Sequence, residues 1–136
     1  VLGAVGGEIA AAAGQKSHAR VLTFKLGGKE SLPPLPPAAP KPEPPPLTAS
    51  TDVVQNGRML YAKYCALCHG GGAVSGGVIA DLRYLNQNKH EAFVGIVQNG
   101  LVNKGMPNFG EVLKEEEIKA IQAFVIKRAH DAKGGN

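Results

Sequence analysis

The chain has 136 residues, 43% of them hydrophobic, 19% charged and 5% aromatic, with no Trp; this suits one small domain with additions and is too lean for a large aromatic core. The formal charge of +4 falls short of the clustered Lys and Arg of a nucleic-acid binder and is compatible with docking on an acidic protein surface. No apolar run of about eighteen residues offers a membrane-spanning helix.

Val1 to Ala13 is small and apolar, but it lacks a basic start and Glu8 interrupts it, unlike a secretory signal. With no initial Met, the chain reads as a mature form or as a fragment of something longer. Residues 20–26, RVLTFKL, alternate in the manner of a strand and stop at Gly27-Gly28. One strand cannot bury itself, so residues 1–30 are expected to be the remnant of a β-rich domain. Nine of the ten prolines then lie between Pro33 and Pro46. Proline lacks the N–H and fixes φ, so residues 31–47 are expected to form an extended connector rising ~3.1 Å per residue. The connector is preferred over a ligand for a proline-binding module because it joins two regions of different composition.

Helical patterning follows from residue 50 to residue 132. Thr51-Asp52 offers a cap for a first helix that carries Val54, Gly57, Met59, Leu60, Tyr61 and Tyr64 and runs into Cys65. Met59 is expected to face the core. A glycine-rich stretch from Gly70 to Gly77 demands tight turns. Lys89 to Val97 predicts a short helix stopped by Asn99-Gly100. Glu115, Glu116 and Glu117 favour the start of a last helix, and Lys127 and Arg128 its end. Ile118, Ile121, Phe124 and Val125 form its apolar stripe. The region from residue 48 to residue 136 is therefore expected to be a small all-α domain whose thin core gains from a large apolar prosthetic group.

The two cysteines stand three positions apart in Cys65-Ala66-Leu67-Cys68-His69. A disulfide across so small a loop is strained and adds little. Cys-x-x-Cys-His is the attachment signature of c-type haem. Two thiols one turn apart can add to the two vinyl groups on one porphyrin edge, which brings His69 under the macrocycle as an iron ligand. A zinc site needs two more ligands at close spacing, whereas His18, His90 and His130 are isolated. A thioredoxin-type pair needs a βαβ context that is missing. Met106, in Lys104-Gly105-Met106-Pro107, sits on a stiff loop able to present sulfur to the far side of a haem; Met59 and His90 are its rivals. Leu82, Leu85, Phe93, Ile96, Val97, Phe109 and Val112 are expected to supply an apolar shell, and Arg83 is a candidate partner for a haem propionate.

On these motifs, residues 50–132 resemble a class I cytochrome c. Gly57 and Tyr61 match the family's pattern for a close crossing with the last helix, where Phe124 supplies an aromatic partner. Ala80 stands where the family usually has a Pro whose carbonyl accepts the proximal imidazole N–H, and the Ala80 carbonyl remains available for that bond. The run FKLGGK, LPP, the proline connector and CHGGGAVSGGVIADLR is similar to the C-terminal end of quinohaemoprotein alcohol dehydrogenases. That resemblance implies an upstream β-propeller holding pyrroloquinoline quinone (PQQ) and calcium, and one covalent haem c on this chain. Electrons would pass through that haem, attached at Cys65 and Cys68 and ligated by His69 and Met106, to a soluble cytochrome or blue copper protein in the periplasm. It also implies that this chain is an electron carrier and not by itself an enzyme. The alternatives are a free-standing monohaem cytochrome and a haem sensor with an open coordination site.

Overall fold

A computed structural model of the chain describes residues 25–31, 34, 40–75 and 79–134. The expected strand at residues 20–26 lies almost wholly outside them. At its end, Lys25 to Gly28 form a turn in which the Gly28 N–H donates to the Lys25 carbonyl. The described architecture is helical: α1 Thr51–Tyr64, the single turn α2 Ala66–His69, α3 Gln87–Glu91, α4 Phe93–Asn99 and α5 Glu115–Gly134, with one-turn 3₁₀ segments at Gly71–Ala73, Leu82–Tyr84 and Val102–Lys104. Among the described residues there is no strand, only an isolated antiparallel bridge between Leu101 and Met106. No described helix is long and apolar enough to cross a membrane.

Ser50, not Thr51 or Asp52, caps α1: its extended backbone turns its hydroxyl toward the Val53 N–H. Asp52 remains in the first turn, where its charge suits the helix dipole. The expected helix over 89–97 is divided at Ala92, which stays in the right-handed region (φ −84°, ψ 0°) but with ψ far from the ~−42° of a regular helix, and so separates α3 from α4. The last helix forms where its charges place it and extends to Gly134.

The core is the crossing of α1 and α5. At Gly57 the two backbones touch, since a Cβ there would lie 1.9 Å from the Ala120 carbonyl oxygen. One turn on, the Tyr61 and Phe124 rings pack at 5.1 Å between centroids, tilted by 50°. Ile118, Ile121 and Val125 are fully buried beside them. Phe93 and Val97 of α4 complete the core with Leu113. The helix-crossing geometry expected of Gly57, Tyr61 and Phe124 is thus present.

Two expected apolar positions face outward. Met59 is 61% exposed, because Gly57 and Tyr61, four residues apart, define the inner face of α1 and Met59 falls well off it. Val112 is also exposed, and Leu113 takes the inward place: the Leu113 N–H donates to the Phe109 carbonyl, closing a turn that puts residue 113 inside. A Gly57→Ala substitution forces a methyl into the Ala120 backbone and should cost about 3 kcal/mol. Chemical denaturation of the haem-loaded protein, with the helical signal as readout, checks this.

Candidate functional site

The Cys-x-x-Cys-His segment leaves the end of α1 in one tight turn. The Cys65 carbonyl accepts from the N–H groups of both Cys68 (3.2 Å) and His69 (2.9 Å). Residues three apart on such a turn share a side, so the turn sets the two thiols for one common partner. Cys68 and Leu67 are exposed, whereas Cys65 packs against the core. Both cysteines are free thiols. Burial pushes the Cys65 thiol up to about 11, with the Cys68 side chain as a smaller cause.

His69 is oriented by a carbonyl eleven residues downstream: its Nδ1 lies 3.0 Å from the Ala80 oxygen. A carbonyl can only accept, so Nδ1 carries the proton and Nε2 keeps its lone pair. Alanine therefore does what the family's proline does, since the bond needs only the main-chain oxygen. The next residue, Asp81, accepts from the Arg83 N–H, Nε and Nη2. One short turn thus fixes the imidazole and holds Arg83, whose guanidinium is pushed above its usual value chiefly by the hydrogen bond to Asp81.

The loop after His69 is gripped from both sides of the helix crossing. The Tyr61 hydroxyl donates to the Gly70 carbonyl at 2.7 Å. From α5, Arg128 Nε donates to the Gly72 carbonyl at 2.9 Å, across 56 positions. Gly70 has φ +77° and a Cβ on it would meet the Val74 carbonyl at 2.0 Å, so this turn requires glycine. Ala73 follows in the left-handed region (φ 64°) and is completely buried. From sequence alone Arg128 is only a complement to the helix dipole. No local pattern connects it to Gly72.

Met106 is held with equal care. Leu101 and Met106 exchange both main-chain hydrogen bonds (2.9 and 3.2 Å) and close a small loop. Gly105 makes the left-handed turn inside it (φ 82°). The run beyond is tied to α4 by Phe109 N–H to Val97 O (3.0 Å) and Gly110 N–H to Gln98 O (3.1 Å). Phe109 meets the edge of Tyr64, which directly precedes Cys65, at 6.2 Å between centroids. Met106, Cys65, Leu82, Leu85 and Phe109 all pack, partly buried, on the margin of the one apolar cluster. Of the rival ligands, Met59 is exposed. His90 is buried on the face of α3 and α4 that carries Phe93 and Val97, with neither ring nitrogen bonded to protein; its burial lowers its basicity. Among the described residues no group of three or more His, Cys, Asp or Glu side chains could hold a metal ion.

The donor set suits a covalent haem. Two free thiols share one turn, an imidazole presents a bare Nε2, and a thioether stands on a doubly pinned loop beside the same apolar cluster. This constellation defines a c-type cytochrome. Residues 52–125 match the family described as cytochrome C oxidase, cbb3-type, subunit III, more than half of the chain, and the chain belongs to this cytochrome c family. It is 44% identical over 125 residues to quinohemoprotein alcohol dehydrogenase ADH-IIG of Pseudomonas putida, covering 92% of this chain and 17% of that protein. It is 43% identical over 129 residues to quinohemoprotein alcohol dehydrogenase ADH IIB of Pseudomonas putida, covering 93% and 19%. The solved structure of ADHIIG from Pseudomonas putida HK5 matches with a TM-score of 0.71 at 42% identity, over 96% of this chain and 19% of that one. The chain spans less than a fifth of the length of these relatives.

The elevated Cys65 thiol sets a measurable order of reactivity. With its thiol pushed up to about 11, Cys65 holds little of the reactive thiolate at pH 8 when no haem is attached. Alkylation should therefore label exposed Cys68 first, and Cys65 should catch up only as the pH approaches 11 or the chain unfolds. Mass mapping of the two sites over time checks this. The same shift makes the haem-free fold lose stability as pH rises from about 9 to about 11, because the unfolded thiol gives up its proton first.

Proposed function

We propose that this chain is a tethered one-electron carrier: it takes electrons from a PQQ-containing alcohol dehydrogenase domain and passes them to an external acceptor. The observation that carries this reading is the His69–Ala80 bond, which fixes the tautomer and aims Nε2 as a ligand. Cys65 and Cys68 would hold the haem by thioethers, and His69 and Met106 would be its axial ligands. When bound, the haem supplies a one-electron couple at its iron.

The chain's own residues decide how that couple is used. His69 is held by Ala80 and the Met106 loop by the Leu101 bridge, so both residues would reach a haem iron from fixed backbone. That leaves no position for a substrate and favours outer-sphere transfer. Phe93, Val97, Leu82, Leu85 and Phe109 keep water from the interior. Together with a His/Met pair, such a lining favours a raised potential. Arg83 uses Nε and Nη2 on Asp81, which leaves Nη1 for a propionate. Exposed Leu67 and Cys68 put the attachment edge at the surface, where a partner protein can reach it.

The donor assignment follows the relatives named above, which are quinohemoprotein alcohol dehydrogenases. In this reading residues 1–30 end the donor's propeller, where PQQ and calcium would reside, and residues 31–47 link it to the carrier. A soluble cytochrome or blue copper protein would be the acceptor, in the periplasm, where thioether haem is assembled on exported chains.

The test is Met106→Ala. The near-infrared band of Met–Fe(III) ligation should vanish and the midpoint potential should fall, while His90→Gln leaves both in place. An unchanged band in Met106→Ala, or its loss in His90→Gln, overturns the ligand set. Adding a primary alcohol to the full-length, PQQ-loaded protein should reduce the haem within one turnover; a haem that stays oxidised overturns the donor assignment.

A further inference from the structure

The end of the proline-rich segment does not hang free of the domain. Pro42 is buried although Lys41 and Glu43 on either side are exposed. The His130 Nε2–H donates to the Pro45 carbonyl at 2.8 Å, across 85 positions. Pro46 to Ala49 then line a shallow groove whose other wall includes Lys119, Ala123 and Ile126 of α5.

The chemistry of the segment explains the mode of contact. Pro44, Pro45 and Pro46 are three consecutive residues without an N–H, so their carbonyls are the only backbone groups by which they can be hydrogen-bonded. An imidazole N–H supplies the donor, and the flat ring faces suit a wall of small and aliphatic side chains.

The placement on α5 is also specific. Lys119, Ala123, Ile126 and His130 follow one another at spacings of four, three and four, which is one face of a helix. Arg128, which grips the loop after His69, lies about 200° around the helix from both Ile126 and His130.

We propose that residues 42–49 are a docking strap, held on the Lys119–Ala123–Ile126–His130 face of α5, which fastens the tether to the side of the domain turned away from the loop that follows His69. The reach of the connector is then counted from Pro42 and not from Thr51. The nine residues 42–50, at ~3.1 Å each, take on the order of 28 Å out of that reach. The strap also leaves the attachment edge at Leu67 and Cys68 clear of the tether. This role in electron delivery rests on the tethered reading above; the strap itself does not.

The test uses the full-length, haem-loaded protein with a nitroxide on Glu43→Cys, an exposed position beside Pro42. The label should be immobilised with His130 present, mobile in His130→Phe, and immobilised again in His130→Gln, which keeps an N–H donor. Ile126→Ser, at the groove wall, is the second route and should also free the label. Equal mobility with His130 and with Phe overturns the strap. In the same proteins, releasing residues 42–50 from α5 lets the connector reach on the order of 28 Å further and should slow haem reduction by the donor domain about twofold, because the two domains meet less often. A freed label with an unchanged rate overturns the role in delivery. A haem that the donor never reduces, even with His130 intact, overturns the tethered reading, and the label mobility then judges the strap alone.

Discussion

The contact between the backbones of α1 and α5 at Gly57 and Ala120 is the constraint on which the rest of the domain depends. With no side chain at 57, the helices come within van der Waals reach of each other's main chain, and the Tyr61–Phe124 pair is brought together one turn away. Each helix then extends a polar group to the loop behind His69: Tyr61 reaches Gly70 and Arg128 reaches Gly72. A change in the crossing would shift both donors together. The position of the Cys-x-x-Cys-His turn is thus tied to the tightest packing in the molecule, which resists small displacements.

The remaining supports of the site come from main-chain carbonyls on irregular segments. Ala80 orients His69, the Leu101 bridge closes the Met106 loop, and Val97 and Gln98 fix the residues beyond it. None of these bonds needs a particular acceptor side chain. This is why Ala80 serves where the family usually has proline. What such a position loses with alanine is the fixed φ of the ring, and here the neighbouring Asp81–Arg83 pair stiffens the same turn from the other side.

His90 is the least settled group in the core. A buried imidazole with neither nitrogen bonded to protein carries a desolvation cost, and burial disfavours its charged form. Its main chain is better placed, since Gln122 of α5 donates to its carbonyl. Among the described residues, α5 thus reaches three separate segments by long-range hydrogen bonds: α3 through Gln122, the loop after His69 through Arg128 and the proline-rich segment through His130. It acts as the frame on which the irregular parts are hung.

How much of this was legible in the sequence follows from how local each feature is. Cys65, Cys68 and His69 are set by spacing within one turn. The Gly105-Met106-Pro107 loop is set by residues with restricted or unusual φ, and α5 by its charges and apolar stripe. These depend on near neighbours and could be read directly. The helix crossing was legible only through its resemblance to known cytochromes. Three features required the tertiary structure. Met59 and Val112 face outward against expectation because hydrophobicity says that a residue can be buried, while the tertiary contacts decide which ones are. Arg128 and His130 looked like ordinary charged or isolated residues at a helix end. Their partners, Gly72 and Pro45, are 56 and 85 positions away and offer only carbonyls, which every residue has and no sequence pattern distinguishes.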